Sequence, residues 1–251
     1  MISGVVGAAG AAAAFAAMVV TPLAPRGGTT RRRAAAIVIG GLATTSFDRL
    51  RVGWGGRRSG ASALALTWLG WAVEELGSRT GRPFGAYAYT GRLRPAVGKV
   101  PAIVPVAWFA MAAPARETAH AVLGHRSTPV RRVLLGAAAL TAWDLFLDPQ
   151  MVGEGYWAWE HPGRYRGIPM SNYVGWLLTG VVAMAVLEVT ATPAGGPDRG
   201  LVAEYVGVAA METLGFAVFF RDRAVASVGG AAMLPLAVFG ALRTGKLVRC
   251  G

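Results

Sequence analysis

Residues 132–149 read Arg-Val-Leu-Leu-Gly-Ala-Ala-Ala-Leu-Thr-Ala-Trp-Asp-Leu-Phe-Leu-Asp-Pro, an apolar run holding one acidic residue, Asp144, in its interior and a second, Asp148, at its end. A hydrocarbon core about 30 Å thick needs about 20 helical residues to cross it, and 132–147 approaches that length. Runs of the same kind recur at 2–20, 34–48, 61–77, 100–115, 172–190, 201–220 and 224–242. Backbone polar groups cannot stay unpaired in lipid, so such segments must be helices. The stretch at 34–48 is short, and only Arg221–Arg223 separates the last two. The expectation is therefore an all-α chain: a polytopic integral membrane helical bundle with seven or eight transmembrane helices. It forms a single transmembrane helical domain over residues 1–251, multi-pass in the cell membrane.

Composition agrees. Of 251 residues, 54% are hydrophobic and 15% charged, against about 25% charged in ordinary globular chains, and mean hydropathy is +0.45. So apolar a chain has ample surface to bury, which excludes disorder. The net charge of +12 does not indicate a nucleic-acid partner, because the basic residues lie between apolar segments, as membrane loops are charged. Their numbers on the two sides are nearly equal, so sidedness is left open. The first twenty residues lack the basic start of a secretory signal and read as a first membrane helix. The lone cysteine, Cys250, reads as an incidental tail residue, since no disulfide framework can be built from it. Small residues in bulk, as from Gly7 to Ala17, suit close helix–helix approach.

Two spans separate the connections 78–99 and 148–171, so both must lie on one side of the membrane. They are the longest connections and the richest in aromatic residues, Gly and Pro, and long ordered loops commonly carry function. Interfacial aromatic belts account for some of their Tyr and Trp residues.

The acidic residues sort into two groups. Asp48, Glu117, Asp198 and Asp222 stand beside arginines and read as solvated partners, and Glu188 reads as interfacial. Glu74, Glu75, Asp144, Asp148, Glu204 and Glu212 lie in or beside apolar spans. A carboxylate at mid-span costs about 2.5–3.5 kcal/mol to insert, so such residues tend to face a bundle interior and to have a function. Asp144 and Asp148, at i and i+4, share a helix face. Pro149 is expected to end the helix, leaving Asp148 at the water boundary and Asp144 one turn deeper. Unlike surroundings push two carboxyl pKa values apart and so divide acid from base. The same spacing could hold a divalent cation, although prenyl-transferring membrane enzymes use two aspartate-rich motifs and one is found here. Glu74 and Glu75 end the third span and open the stretch through Tyr87 and Tyr89. Gly155-Tyr-Trp157-Ala-Trp159 follows the fifth span, and Asn172-Tyr-Val-Gly-Trp176 opens the sixth. Converging acids, aromatic faces and glycine turns at one bilayer surface describe a pocket, and each aromatic face attracts a cation by about 0.5–2 kcal/mol. His120 and His125 read as solvated, and His161 as a candidate proton relay. No His/Cys cluster has metal-ligand spacing, and neither a nucleophile elbow, a P-loop nor a dinucleotide fingerprint occurs.

Together the stretches Glu75–Tyr89, Asp144–Pro149, Gly155–Trp159 and Tyr165–Trp176 resemble the membrane carotenoid-biosynthesis family of the bisanhydrobacterioruberin hydratase and gamma-carotene hydratase type, across roughly residues 60–220. The resemblance implies cofactor-free addition of water to a terminal carbon–carbon double bond of an acyclic carotenoid, giving a tertiary alcohol. Arg166 departs from it, standing where an aromatic residue is expected before the glycine.

On this reading the catalytic residues are Asp144, the deeper acid, with Asp148 or Glu75 holding the attacking water. Tyr87, Tyr89, Trp143, Trp157, Trp159, Asn172 and Trp176 bind the substrate, and no metal or other cofactor takes part. Partners are a hydrophobic carotenoid within the bilayer, membrane lipids and other carotenoid-pathway enzymes, with no nucleic acid. Two other classes fit parts of the pattern. A non-catalytic transporter or lipid-binding subunit would place ionisable groups near the midplane, often in inverted repeats. A metal-dependent isoprenoid enzyme would use Asp144 and Asp148 as ligands.

Overall fold

The computed structural model describes residues 3–191 and 195–249; residue 2, where the first span was expected to begin, and Cys250 lie outside the described residues. Among these residues eight helices make the fold: α1 (Ser3–Leu23), α2 (Thr29–Trp54), α3 (Gly56–Thr80), α4 (Ile103–Leu123), α5 (Pro129–Gly153), α6 (Met170–Thr190), α7 (Arg199–Leu214) and α8 (Arg223–Arg249). A π-helical turn, Gly215–Phe219, extends α7. At about 1.5 Å per residue, all but α7 are long enough to cross a hydrocarbon core. α4 is the central element, packing on α2, α3, α5, α7 and α8, and its residues from Ala107 to Ala119 are all buried.

Gly4–Leu23, Met170–Thr190, Arg199–Phe219 and Arg223–Gly245 are each long and apolar enough to cross a membrane. They turn large apolar side chains outward, among them Val5, Leu178, Val189 and Phe239. Exposed apolar surface of this kind needs a nonaqueous neighbour. The chain is an all-α helical membrane protein.

Small residues set the helix crossings. A Cβ at Gly41 would lie 2.4 Å from the Gly10 carbonyl oxygen and 3.0 Å from Ala14 Cβ, so α1 and α2 touch backbone to backbone. α2 runs well beyond the expected 34–48. Its Asp48, expected to be solvated, is buried and accepts the Gly7 amide at 3.1 Å, joining α2 to the start of α1.

Pro149 does not end α5, which continues to Gly153. Proline removes the N–H that would bond the carbonyl four residues back. That carbonyl, of Leu145, instead accepts the Tyr165 hydroxyl at 2.9 Å. The helix survives, and Asp148 is buried rather than placed at the water boundary.

The connections 78–99 and 148–171 meet on one side, as the span count requires. Strands β1 (Tyr87–Tyr89) and β4 (Trp157–Trp159) pair antiparallel, with Tyr87 opposite Trp159 and Tyr89 opposite Trp157; between them in sequence, β2 (Ala96–Val97) pairs with β3 (Val100–Pro101). Alternation along β1 and β4 turns the four rings inward, with Tyr87–Trp159 and Tyr89–Trp157 centroids 5.8 and 5.6 Å apart, and leaves Ala88 and Ala158 exposed.

Candidate active site

Beneath this strand pair the helices enclose a cavity of about 120 Å³, open at its mouth. Helices α1 to α7 supply its walls, and the paired loops close one end. All the aromatic residues singled out in the sequence, Tyr87, Tyr89, Trp143, Trp157, Trp159 and Trp176, line it, together with Asp148 and Asn172. Trp108 of α4, hidden in an apolar run, joins them: it stacks on Trp176 at 4.2 Å between centroids, and Trp143 meets Trp176 edge-on at 6.1 Å.

The acid that α3 delivers to the cavity is Glu74. Its Oε2 accepts the hydroxyls of Tyr87 at 2.5 Å and Tyr89 at 2.7 Å, and its Oε1 accepts the Trp108 indole N–H at 3.2 Å. All three partners donate, and the two hydroxyl distances are those of O–H groups bonded to a carboxylate. Burial first, and then the Glu74 charge, pushes the Tyr87 and Tyr89 phenols far above their usual range, so both stay donors. A carboxylate has about four acceptor sites. Three are occupied, which leaves one for a water in the cavity.

Trp108 reaches Glu74 because Gly70 lies one turn below it: a Cβ there would sit 2.7 Å from Trp108 Cδ1. Gly77, one turn above, likewise makes room for Phe84 and the Tyr87 hydroxyl.

Asp148 lines the same cavity from α5. Its Oδ1 accepts the Trp157 indole N–H at 3.1 Å, and its Oδ2 accepts the Asn172 amide. The same amide nitrogen donates to Asp144 Oδ2 at 2.8 Å. Asp144 is fully buried, stands behind Asp148 rather than in the cavity wall, and keeps Oδ1 unpartnered. One amide thus bridges two carboxyl groups, a unit with room for one proton and one negative charge.

Glu75 is not brought to this group. Neighbouring residues on a helix point about 100° apart, and Glu75 turns away to accept Arg79 Nε at 2.7 Å and the Lys99 amide at 3.0 Å, tying the β2–β3 turn to α3. His161 is exposed and outside the cavity wall, so it does not stand where a relay is needed. His125 is exposed and His120 half-buried at the end of α4.

Several other charges serve the frame. Buried Glu154 pairs with Arg31 and accepts the Gly27 amide at 3.0 Å, joining the end of α5 to the start of α2. Arg166 pairs with Asp222 at 2.5 Å, fastening the loop before α6 to the α7–α8 turn, which gives that arginine a structural place. At the far ends of the helices Glu188 joins Arg116 and Arg132, and Glu117, expected to be solvated, is buried against Arg116. Glu204 is buried with both carboxyl oxygens unpartnered, away from the cavity. Among the described residues no group of three or more His, Cys, Asp or Glu side chains is placed to hold a metal ion.

Comparison with known proteins agrees with these motifs. A bisanhydrobacterioruberin hydratase of Haloarcula japonica is 39% identical to the chain over 135 residues, which cover 53% of this chain and 45% of that protein. The match thus spans about half the length of this curated relative. No solved structure matches the chain. The model of the carotenoid biosynthesis protein family matches residues 32–241, taking in Glu74, Asp148, the paired loops and all of the cavity lining except that of α1, and the chain belongs to that family.

Proposed function

We propose that this protein is a carotenoid hydratase, a cofactor-independent hydro-lyase that adds water to the terminal C=C of an acyclic carotenoid end group to give a tertiary alcohol. It acts as a multi-pass protein of the cell membrane with seven or eight spans. The observation that carries the reading is the placement of two carboxyl groups with unlike partners, Glu74 and Asp148, in one aromatic-walled cavity. They are close enough for their charges to interact.

Hydration of an alkene needs an acid, a surface for a cation and a held water. The Asp144–Asp148 unit carries the proton, and Asp148, the member in the cavity wall, delivers it to the less substituted carbon of the double bond. The π pair becomes a C–H bond, leaving a tertiary cation on the neighbouring carbon. Faces of Trp143, Trp157 and Trp176 lie against it. The water on the free acceptor site of Glu74 adds through its oxygen and passes a proton to that carboxylate. Return of the proton to Asp148 completes the cycle, with water as the only reagent consumed. General acid–base help of this kind contributes about 10²–10⁴-fold; a preorganised site stabilising the cation adds to it. The sequence-based assignment of the acid to Asp144 becomes a supporting role, since Asp144 reaches the cavity only through Asp148 and Asn172.

Expression of the gene in a lycopene-accumulating host, followed by analysis of extracted pigments, tests the activity. Hydroxylated end groups are expected. Pigments with unchanged ends, at normal protein levels in the membrane, would overturn it.

A further inference from the structure

The mechanism leaves unused a third carboxyl group in the cavity wall. Glu212 lines it from α7. The positions that share its side of the helix, Val208, Met211 and Gly215, line the cavity too and are apolar. Among the described residues no hydrogen bond or ion pair reaches its carboxyl group, whereas donors hold both other acids of the wall. It is half-buried and lines the cavity. Three residues on, the helix passes into the π turn Gly215–Phe219. A π turn holds an extra residue and re-aims the side chains after it: Phe216 packs on Phe146 at 5.7 Å while Phe220 returns to the cavity wall. Such turns recur at functional sites.

A carboxyl group in an apolar wall is held at a cost unless a donor meets it, and here the donor must come from the occupant. A free water is a poor candidate, because an ordered buried water needs two to four polar partners and this face of α7 offers one. A hydroxyl attached to an apolar chain needs only that one, since the chain itself fills the surrounding space.

We infer that Glu212 is a specificity-determining residue that accepts a hydrogen bond from a hydroxyl on the isoprenoid chain, so that the cavity prefers hydroxylated acyclic carotenoids to purely hydrocarbon ones. The inference rests on the reading that the cavity takes an acyclic carotenoid, but not on the hydration chemistry.

Binding tests it. The full-length protein in nanodiscs is titrated with lycopene and with an acyclic carotenoid bearing one hydroxyl on its end segment, following quenching of tryptophan fluorescence. The wild type is expected to bind the hydroxylated chain about tenfold to a hundredfold more tightly, the range for a hydrogen bond to a charged group. In Glu212→Leu the ratio of the two affinities should fall to near one. Glu212→Gln keeps an acceptor oxygen at the same reach and should retain most of the ratio. Leu also removes an unpaired carboxyl from an apolar wall, so the variant should unfold at no lower temperature than the wild type. A wild-type ratio near one, or an unchanged ratio in Glu212→Leu, overturns the inference. Pigment conversion by the same samples separates the two readings. Discrimination without conversion refutes the hydratase and leaves Glu212 in its role, and conversion without discrimination does the reverse.

Discussion

Replacing Glu74 by Gln, with Glu75→Gln as its neighbour control, tests which acid α3 presents to the cavity. Glu74 holds three donors: the Tyr87 hydroxyl at 2.5 Å, the Tyr89 hydroxyl at 2.7 Å and the Trp108 N–H at 3.2 Å. Gln can keep its oxygen toward Trp108 and turn its NH₂ toward the phenols, which rotate to accept. Three hydrogen bonds to a charged group then become neutral ones, a loss of about 1 kcal/mol apiece and about 3 kcal/mol in all. For a chain of this size 1 kcal/mol moves Tm by about 2–4 °C, so Glu74→Gln should unfold roughly 6–12 °C lower in detergent by tryptophan fluorescence. Glu74→Ala, which strands three buried donors, should do worse. Glu75 loses an ion pair to a largely exposed Arg79, worth about 0–1 kcal/mol, and a bond from the Lys99 amide. Its variant should fall by no more than about 6 °C. At a temperature where both are folded, Glu74→Gln should convert pigment about 10²-fold more slowly, and Glu75→Gln within a few fold of wild type. The reverse order, in stability or conversion, would refute the reasoning.

Three further outcomes rest on the same contacts. Arg31→Ala leaves the buried Glu154 carboxylate without its partner and should cost about 3–5 kcal/mol. Arg166→Ala opens a pair whose arginine is 47% exposed and should cost about 0–1 kcal/mol; chemical denaturation compares the two. Because the folded-state phenols of Tyr87 and Tyr89 lie above their unfolded value of 10.0, their contribution is fully present below about pH 10 and is lost as pH rises beyond it. Thermal stability should therefore be level from pH 7 to about 9 and drop above 10, less steeply in Tyr87→Phe. Strong chelation should leave pigment conversion unchanged, since the Asp144 and Asp148 oxygens that face a partner meet N–H donors of Asn172 and Trp157, which a cation would repel.

Much of this architecture could be read from the chain. Apolar runs gave the helices, and the two-span separation of the long connections required their tips to meet, as β1 and β4 do. The i, i+4 spacing put Asp144 and Asp148 on one face, which Asn172 then bridges. Other features depend on contacts between distant segments. Pro149 stays within α5 only because Tyr165 caps the carbonyl it orphans. Choosing Glu74 over Glu75 needs the rotation of α3 about its axis, which Trp108 fixes by packing on Gly70. A trace of that rotation is present in the sequence: Gly70, Glu74 and Gly77 fall at i, i+4 and i+7, a single face of small residues around one acid. Trp108 itself, in an all-apolar run, carried no mark to separate it from core.

The most direct test of the account is an isotope experiment on the purified protein with lycopene in H₂¹⁸O and, separately, in D₂O. The account requires one ¹⁸O in the tertiary alcohol and one deuterium on the adjacent carbon, with both signals reduced at least about 10²-fold in Asp148→Asn. Alcohol without solvent oxygen, or full labelling by Asp148→Asn, would contradict it.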